Sequence, residues 1–138
     1  VDAVGNAGTG MFFLSIAPSD RTPELNQLVQ DFQDNFGESP QSTLFDFGYD
    51  AMNVLIYAIE KVAKSDYQGN VQIGRKALRT VLYNTRQFKG ITGVLNATKF
   101  GDFGIPRFVV VKMEDPEKGA ADLKKNIVST ITSKNHLK

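Results

Sequence analysis

Asp46 and Asp50 stand four residues apart in TLFDFGYDAMNVLIYAIEKVAK, residues 43–64, so on a helix their carboxylates share a face. Paired acids can divide general acid and general base work. The same residue types have a simpler use at the start of a helix. Asp46 or Thr43 would cap the first turn, and Asp50 would favour its positive end. The simpler use is preferred, because acids belong at that end of a helix in any case. Leu44, Phe45 and Phe47 crowd large apolar side chains around Asp46. An aromatic mouth at a helix N-terminus can hold a small ligand, and the same residues can equally be core packing.

The remaining chemistry is sparse. His136 is the single histidine and lies in a polar tail, so no H-x-x-H or H-E-x-x-H metal spacing exists. There is no cysteine, which excludes disulfides, thiolate metal sites and a cysteine nucleophile. No G-x-S-x-G elbow occurs. The run Gly5-Asn6-Ala7-Gly8-Thr9-Gly10 precedes a strand, whereas a phosphate loop needs a glycine turn that opens a helix. Residues 99–104, KFGDFG, hold one carboxylate where calcium wants six to eight oxygens, and read as a β-turn. Asn96-Ala97-Thr98 spells a glycosylation sequon and nothing more. The expectation is no catalytic residue, no metal and no cofactor.

These residues need elements to hold them. Residues 11–16, MFFLSI, form a short apolar run that reads as a buried strand. Thr22-Pro23-Glu24 supplies an N-cap, a proline at the first helical position and an acid at the positive end. Leu25, Leu28, Val29, Phe32 and Phe36 follow at helical spacing, and Gly37 is a C-terminal stop. A second helix is expected over 45–64, with Tyr49, Met52, Leu55, Ile56, Ile59, Val62 and Ala63 in its stripe, and a third over 73–83. Residues 91–95 and 108–113 read as strands around a turn-rich connection. Residues 115–117, DPE, open a last helix with Ala120, Leu123, Ile127 and Ile131 inward. Three strands with three or four helices do not obviously close a sheet, so the chain reads as part of a larger α/β architecture.

Length and composition set the frame. The chain has 138 residues, 41% apolar and 22% charged, which suits one globular domain. Sixteen basic against fifteen acidic residues leave a net charge of +1, so no field exists to steer nucleic acid or an acidic membrane. No apolar run reaches the roughly 18 residues of a spanning helix. The start, VDAVGNAGTG, has neither methionine nor a basic leader, and reads as an internal cut.

The order Gly48-Tyr49-Asp50-Ala51, then Gly90-Ile91-Thr92-Gly93-Val94-Leu95, then Gly101-Asp102, then Val109-Val110-Val111-Lys112 resembles the C-terminal part of a periplasmic solute-binding protein. The likeness is to the leucine/isoleucine/valine-binding type of ABC-transporter receptor, with the type I fold. It covers about residues 10–119, and it rests on order and spacing rather than on any one motif. The resemblance implies a partial α/β fold, the C-terminal portion of a two-lobed, parallel-sheet, Rossmann-like receptor joined by three chain crossings. It implies that residues 11–16 leave one lobe and the three helices pack on the other. Residues 91–95 then belong to that other lobe, and residues 108–113 cross back. Leu44, Phe45, Asp46 and Phe47 match the loop that offers a hydrophobic side chain to the ligand. Some relatives carry a cysteine pair around the G-D turn; here Phe103 follows Asp102.

The expectation is therefore a single fragment over 1–138, with a C-terminal helix and tail over 116–138. It would be part of a receptor that binds a branched-chain amino acid or related small molecule by lobe closure, with an ABC permease as partner. The location would be periplasmic or extracellular, membrane-tethered in some relatives. Alternatives are a sensory module of the same fold for an amide or urea-like ligand, and a small hydrolase, which lacks any nucleophile–base pair. With helix stripes and strand edges uncovered, the chain is also expected to self-associate as a homodimer, with residues 11–16 or 108–113 pairing across the interface.

Overall fold

The computed structural model describes residues 5–20, 22–40, 42, 44–103, 107–118 and 125–132. The chain divides into two compact units, one of Val1–Pro18 with Ile105–Lys138, the other of Ser19–Gly104. The first strand and the 107–112 strand share a unit, and the three helices share the other.

In the first unit a 3-10 turn, Gly5–Gly8, leads into β1, Phe12–Ile16. β6, Arg107–Lys112, lies between β1 and β7, Ile127–Thr132, and both pairings are antiparallel. Val109 and Val111 of β6 bury with Ala17, and Phe13 packs against them. The ladder continues past the strands through Ala17 N–H to the Arg107 carbonyl at 2.8 Å and Met113 N–H to the Met11 carbonyl at 2.9 Å.

Two expectations change here. Residues 127–132 are a strand, not the end of a helix. Ile127 and Ile131 have helical spacing, but IVSTIT is mostly β-branched and finds a ladder on β6, which a helix could not use. The expected C-terminal helix over 116–138 is thus corrected where it is described: Pro116–Lys118 is one 3-10 turn. Ala120, Leu123 and His136 lie outside the described residues. β1 is also not buried on both faces. It sits at a sheet edge, with Phe12 and Leu14 exposed.

The second unit opens with α1, Pro23–Phe36. Thr22 Oγ1 accepts the Leu25 N–H at 3.1 Å, and Gly37 at φ 75° ends the helix, its N–H donating to the Gln33 carbonyl at 2.8 Å. Both ends follow the expected chemistry. α2, Phe45–Val62, packs against α3, Arg75–Asn84, and buries Val54 and Ala58. Between them β2, Lys64–Ser65, and β3, Val71–Gln72, form a small hairpin. The expected strand over 91–95 is instead a hairpin of β4, Phe88–Gly90, and β5, Gly93–Leu95, turning at Ile91 and Thr92. Residues 98–102 form a hydrogen-bonded turn, Gly101 N–H to the Thr98 carbonyl at 3.1 Å, as the β-turn reading required.

Candidate functional site

The mouth of α2 is built around a helix start without a side-chain cap. Leu44 occupies the N-cap position, and its side chain makes no capping hydrogen bond. Ser42 Oγ instead accepts the Leu44 N–H at 3.0 Å, fixing the entry of the chain. Asp46 lies inside the first turn rather than at the N-cap: it is buried, and its carboxylate accepts the first-turn N–H of Phe47 at 3.0 Å. Thr43, the other expected cap, lies outside the described residues.

The four residues singled out from sequence have four different surroundings. Leu44 is 51% exposed and free to meet a ligand. The Phe45 ring is half-buried and braced edge-on by Phe32, with centroids 5.1 Å apart, and Phe32 in turn contacts Phe36 at 4.6 Å. Phe47 is half-buried and lines an apolar cleft of about 360 Å³ with Ala51, Val54 and Leu55 of α2, Leu82 of α3 and Leu95 of β5. The segment is thus an exposed leucine on a rigid aromatic footing.

Asp50 has a role that helix position alone did not reveal. It is 3% exposed, and its carboxylate accepts the Ile91 N–H at 2.7 Å, the Thr92 N–H at 2.9 Å and the Thr92 hydroxyl at 2.5 Å. A buried carboxylate needs such donors to offset lost hydration. Gly90 is the steric counterpart. A Cβ there would lie 2.5–2.8 Å from the Asp50 carboxylate atoms, so only glycine leaves room for the clamp. Two sequence stretches that the resemblance paired only by order, GYDA and GITG, therefore meet in space. Their separation in sequence hid the contact. The clamped turn forms one wall of an open cleft of about 570 Å³, which Thr22 and Glu24 of the α1 start and Tyr49 of α2 complete. Tyr49 and Asp50 are neighbours on α2: one faces this cleft, the other holds its far wall.

No family model matches the sequence, and no curated protein matches it in sequence. Solved structures match the fold, three of which follow. A leucine-binding protein from Thermotoga maritima shares 24% identity at a TM-score of 0.61, over 94% of this chain and 33% of its own. A solute-binding protein of an ABC transporter from Rhodopseudomonas palustris, in complex with 3,4-dihydroxybenzoic acid, shares 15% at 0.57, over 95% and 33%. A branched-chain amino acid ABC transporter periplasmic ligand-binding protein from Burkholderia xenovorans shares 16% at 0.54, over 91% and 31%. Nearly all of this chain thus has the fold of part of a type I periplasmic binding protein, and it spans about a third of the length of those structures.

Proposed function

We propose that the chain is part of a receptor that captures a small solute, an amino acid of branched-chain type or a molecule of similar size, for an ABC importer. The fold match over 94% of the chain to a leucine-binding protein is the observation that carries this reading. Leu44 makes the apolar contact with the solute. Phe45, held by Phe32, fixes the segment that presents it, buried Asp46 anchors its backbone, and Phe47 lines the neighbouring apolar cleft. The solute is held by non-covalent contacts and released unchanged, so no nucleophile or proton relay is required. The receptor works outside the cytoplasm and hands its solute to the importer's permease. No helix among the described residues is long and apolar enough to cross a membrane.

A thermal-shift series with L-leucine and with 3,4-dihydroxybenzoate tests the reading. The expected result is a concentration-dependent rise in Tm with at least one of them, because a ligand that binds only the folded state stabilises it by mass action. Leu44→Asp should abolish that rise while leaving the unliganded Tm within a few degrees, since the side chain is exposed. A rise that survives Leu44→Asp would remove the assigned contact, and no rise with either solute at millimolar concentration would count against this solute class.

A further inference from the structure

A net charge of +1 sets no long-range field, but it hides where the charges stand. α1 carries Glu24, Asp31 and Asp34 and no base, whereas α3 carries Arg75, Lys76 and Arg79 and no acid. At about 100° per residue, Arg75, Lys76, Arg79 and Tyr83 fall on one side of α3, and all four are exposed. There the Arg79 guanidinium lies 5.2 Å from the centre of the Tyr83 ring. A Cβ at Gly101 would lie 3.0 Å from the Tyr83 Oη, so the 98–102 turn meets the far end of the same ring. The turn adds Lys99, whose ammonium lies 5.1 Å from the centre of the Phe100 ring, and Phe100 itself, which is 71% exposed. Asp102 is the one acid in the segments 75–84 and 98–102. Four cations and an exposed phenyl ring thus share one surface of the second unit.

We propose that this surface rests on a membrane of anionic lipid, with Phe100 entering the headgroup layer beside Lys99. Charge selects that occupant. Four hydrated cations with one acid among them do not make a core surface, and an apolar layer of the same protein laid over them would leave them desolvated and unpaired. Anionic headgroups supply many charges in no fixed geometry. That suits long, mobile Lys and Arg side chains, each of which strengthens adsorption about fivefold. Phe100 supplies the apolar bulk that insertion at the headgroup boundary uses. Stacking of nucleic-acid bases needs open ring faces, and here a cation lies over a face of each ring. Adsorption does not depend on the solute-binding reading, so either can fail alone.

Co-sedimentation of the chain with vesicles tests this, comparing about one-third phosphatidylglycerol in phosphatidylcholine with phosphatidylcholine alone. At millimolar lipid the anionic vesicles should bind roughly tenfold more chain or better. Roughly 1 M sodium chloride, with a screening length of about 3 Å, should remove the difference. Lys99→Glu should lower the partition coefficient by roughly tenfold or more, and Phe100→Ser by roughly threefold or more. Both positions are exposed, so both variants should fold. Lys125→Glu makes the same charge change in the other unit and should lower it by less than about threefold. Absent binding, or equal binding to both vesicle types, overturns the proposal, since exposed apolar side chains would then carry any adsorption. So do equal losses in Lys99→Glu and Lys125→Glu, which would mark a response to net charge alone. Poly-L-glutamate or a single-stranded oligonucleotide that binds as well as the vesicles, with no loss in Phe100→Ser, would overturn it too and assign the surface to an acidic polypeptide or to nucleic acid.

Discussion

Asp50 shows at the residue scale what spacing can and cannot reveal. Its place at the start of α2 has a sufficient local explanation in the helix dipole, so nothing in the sequence demanded a partner 41 residues away. The buried carboxylate with its donors should be worth more than a surface acid. Asp50→Asn keeps the shape but turns an amide donor toward the turn, and should cost about 2–3 kcal/mol by urea denaturation. Thr92→Val should cost less, and the two should be non-additive in a double-mutant cycle, since they share one contact. Additive costs would mean that the hydroxyl bond is not made. Asp66, on the β2–β3 hairpin, gives a pH test. The Asn70 side chain first, then the backbone N–H groups of Asn70, Gln68 and Gly69, hold its carboxyl below the ordinary carboxylate value. A folded-state value depressed below the unfolded one means stabilisation present at higher pH and lost as pH falls through the folded value. The Gln68 and Asn70 amide shifts should therefore titrate together with a midpoint below the ordinary carboxylate range. A midpoint at or above it would contradict the bonds.

At the scale of elements, the caps were legible because their chemistry is local. Thr22, Pro23 and Gly37 mark both ends of α1. Thr22→Ala should cost about 1 kcal/mol, and Gly37→Ala a similar amount because alanine resists the left-handed conformation. β7 was misread for the converse reason. Ile127 and Ile131 satisfy a helical period, and only the neighbouring β6 ladder decides against it. The β4–β5 hairpin was half-seen: the apolar residues pointed to a strand, but the turn at Ile91-Thr92 is held by Asp50, which no local signal announces. α2 is apolar on two faces. Val54 and Ala58 are buried, whereas Met52 and Ile56, on the opposite side, are exposed. Val54→Ala should cost about 2 kcal/mol and Met52→Lys less than about 0.5 kcal/mol in this chain, both measured by denaturant unfolding. A large cost at Met52 would show that its face is covered.

At the scale of the whole molecule, a partial type I binding-protein fold was readable from the order of four short motifs, none of them specific by itself. Helix stripes and strand runs alone reached only an α/β class, because the same elements fit many topologies. The Leu44–Phe47 segment stood out by residue type and by its place in the resemblance, but residue type does not separate the four surroundings. The fold leaves Leu44 exposed, sets the Phe45 ring against Phe32, buries Asp46 and places Phe47 on a cleft. The most direct test of small-solute capture at that segment is a map of backbone amide shifts as L-leucine is added up to tens of millimolar. The expected result is saturable movement centred on Leu44, Phe45, Asp46 and Phe47, with the β2–β3 hairpin unmoved. Absence of any saturable shift, or shifts confined to residues remote from the start of α2, would contradict it.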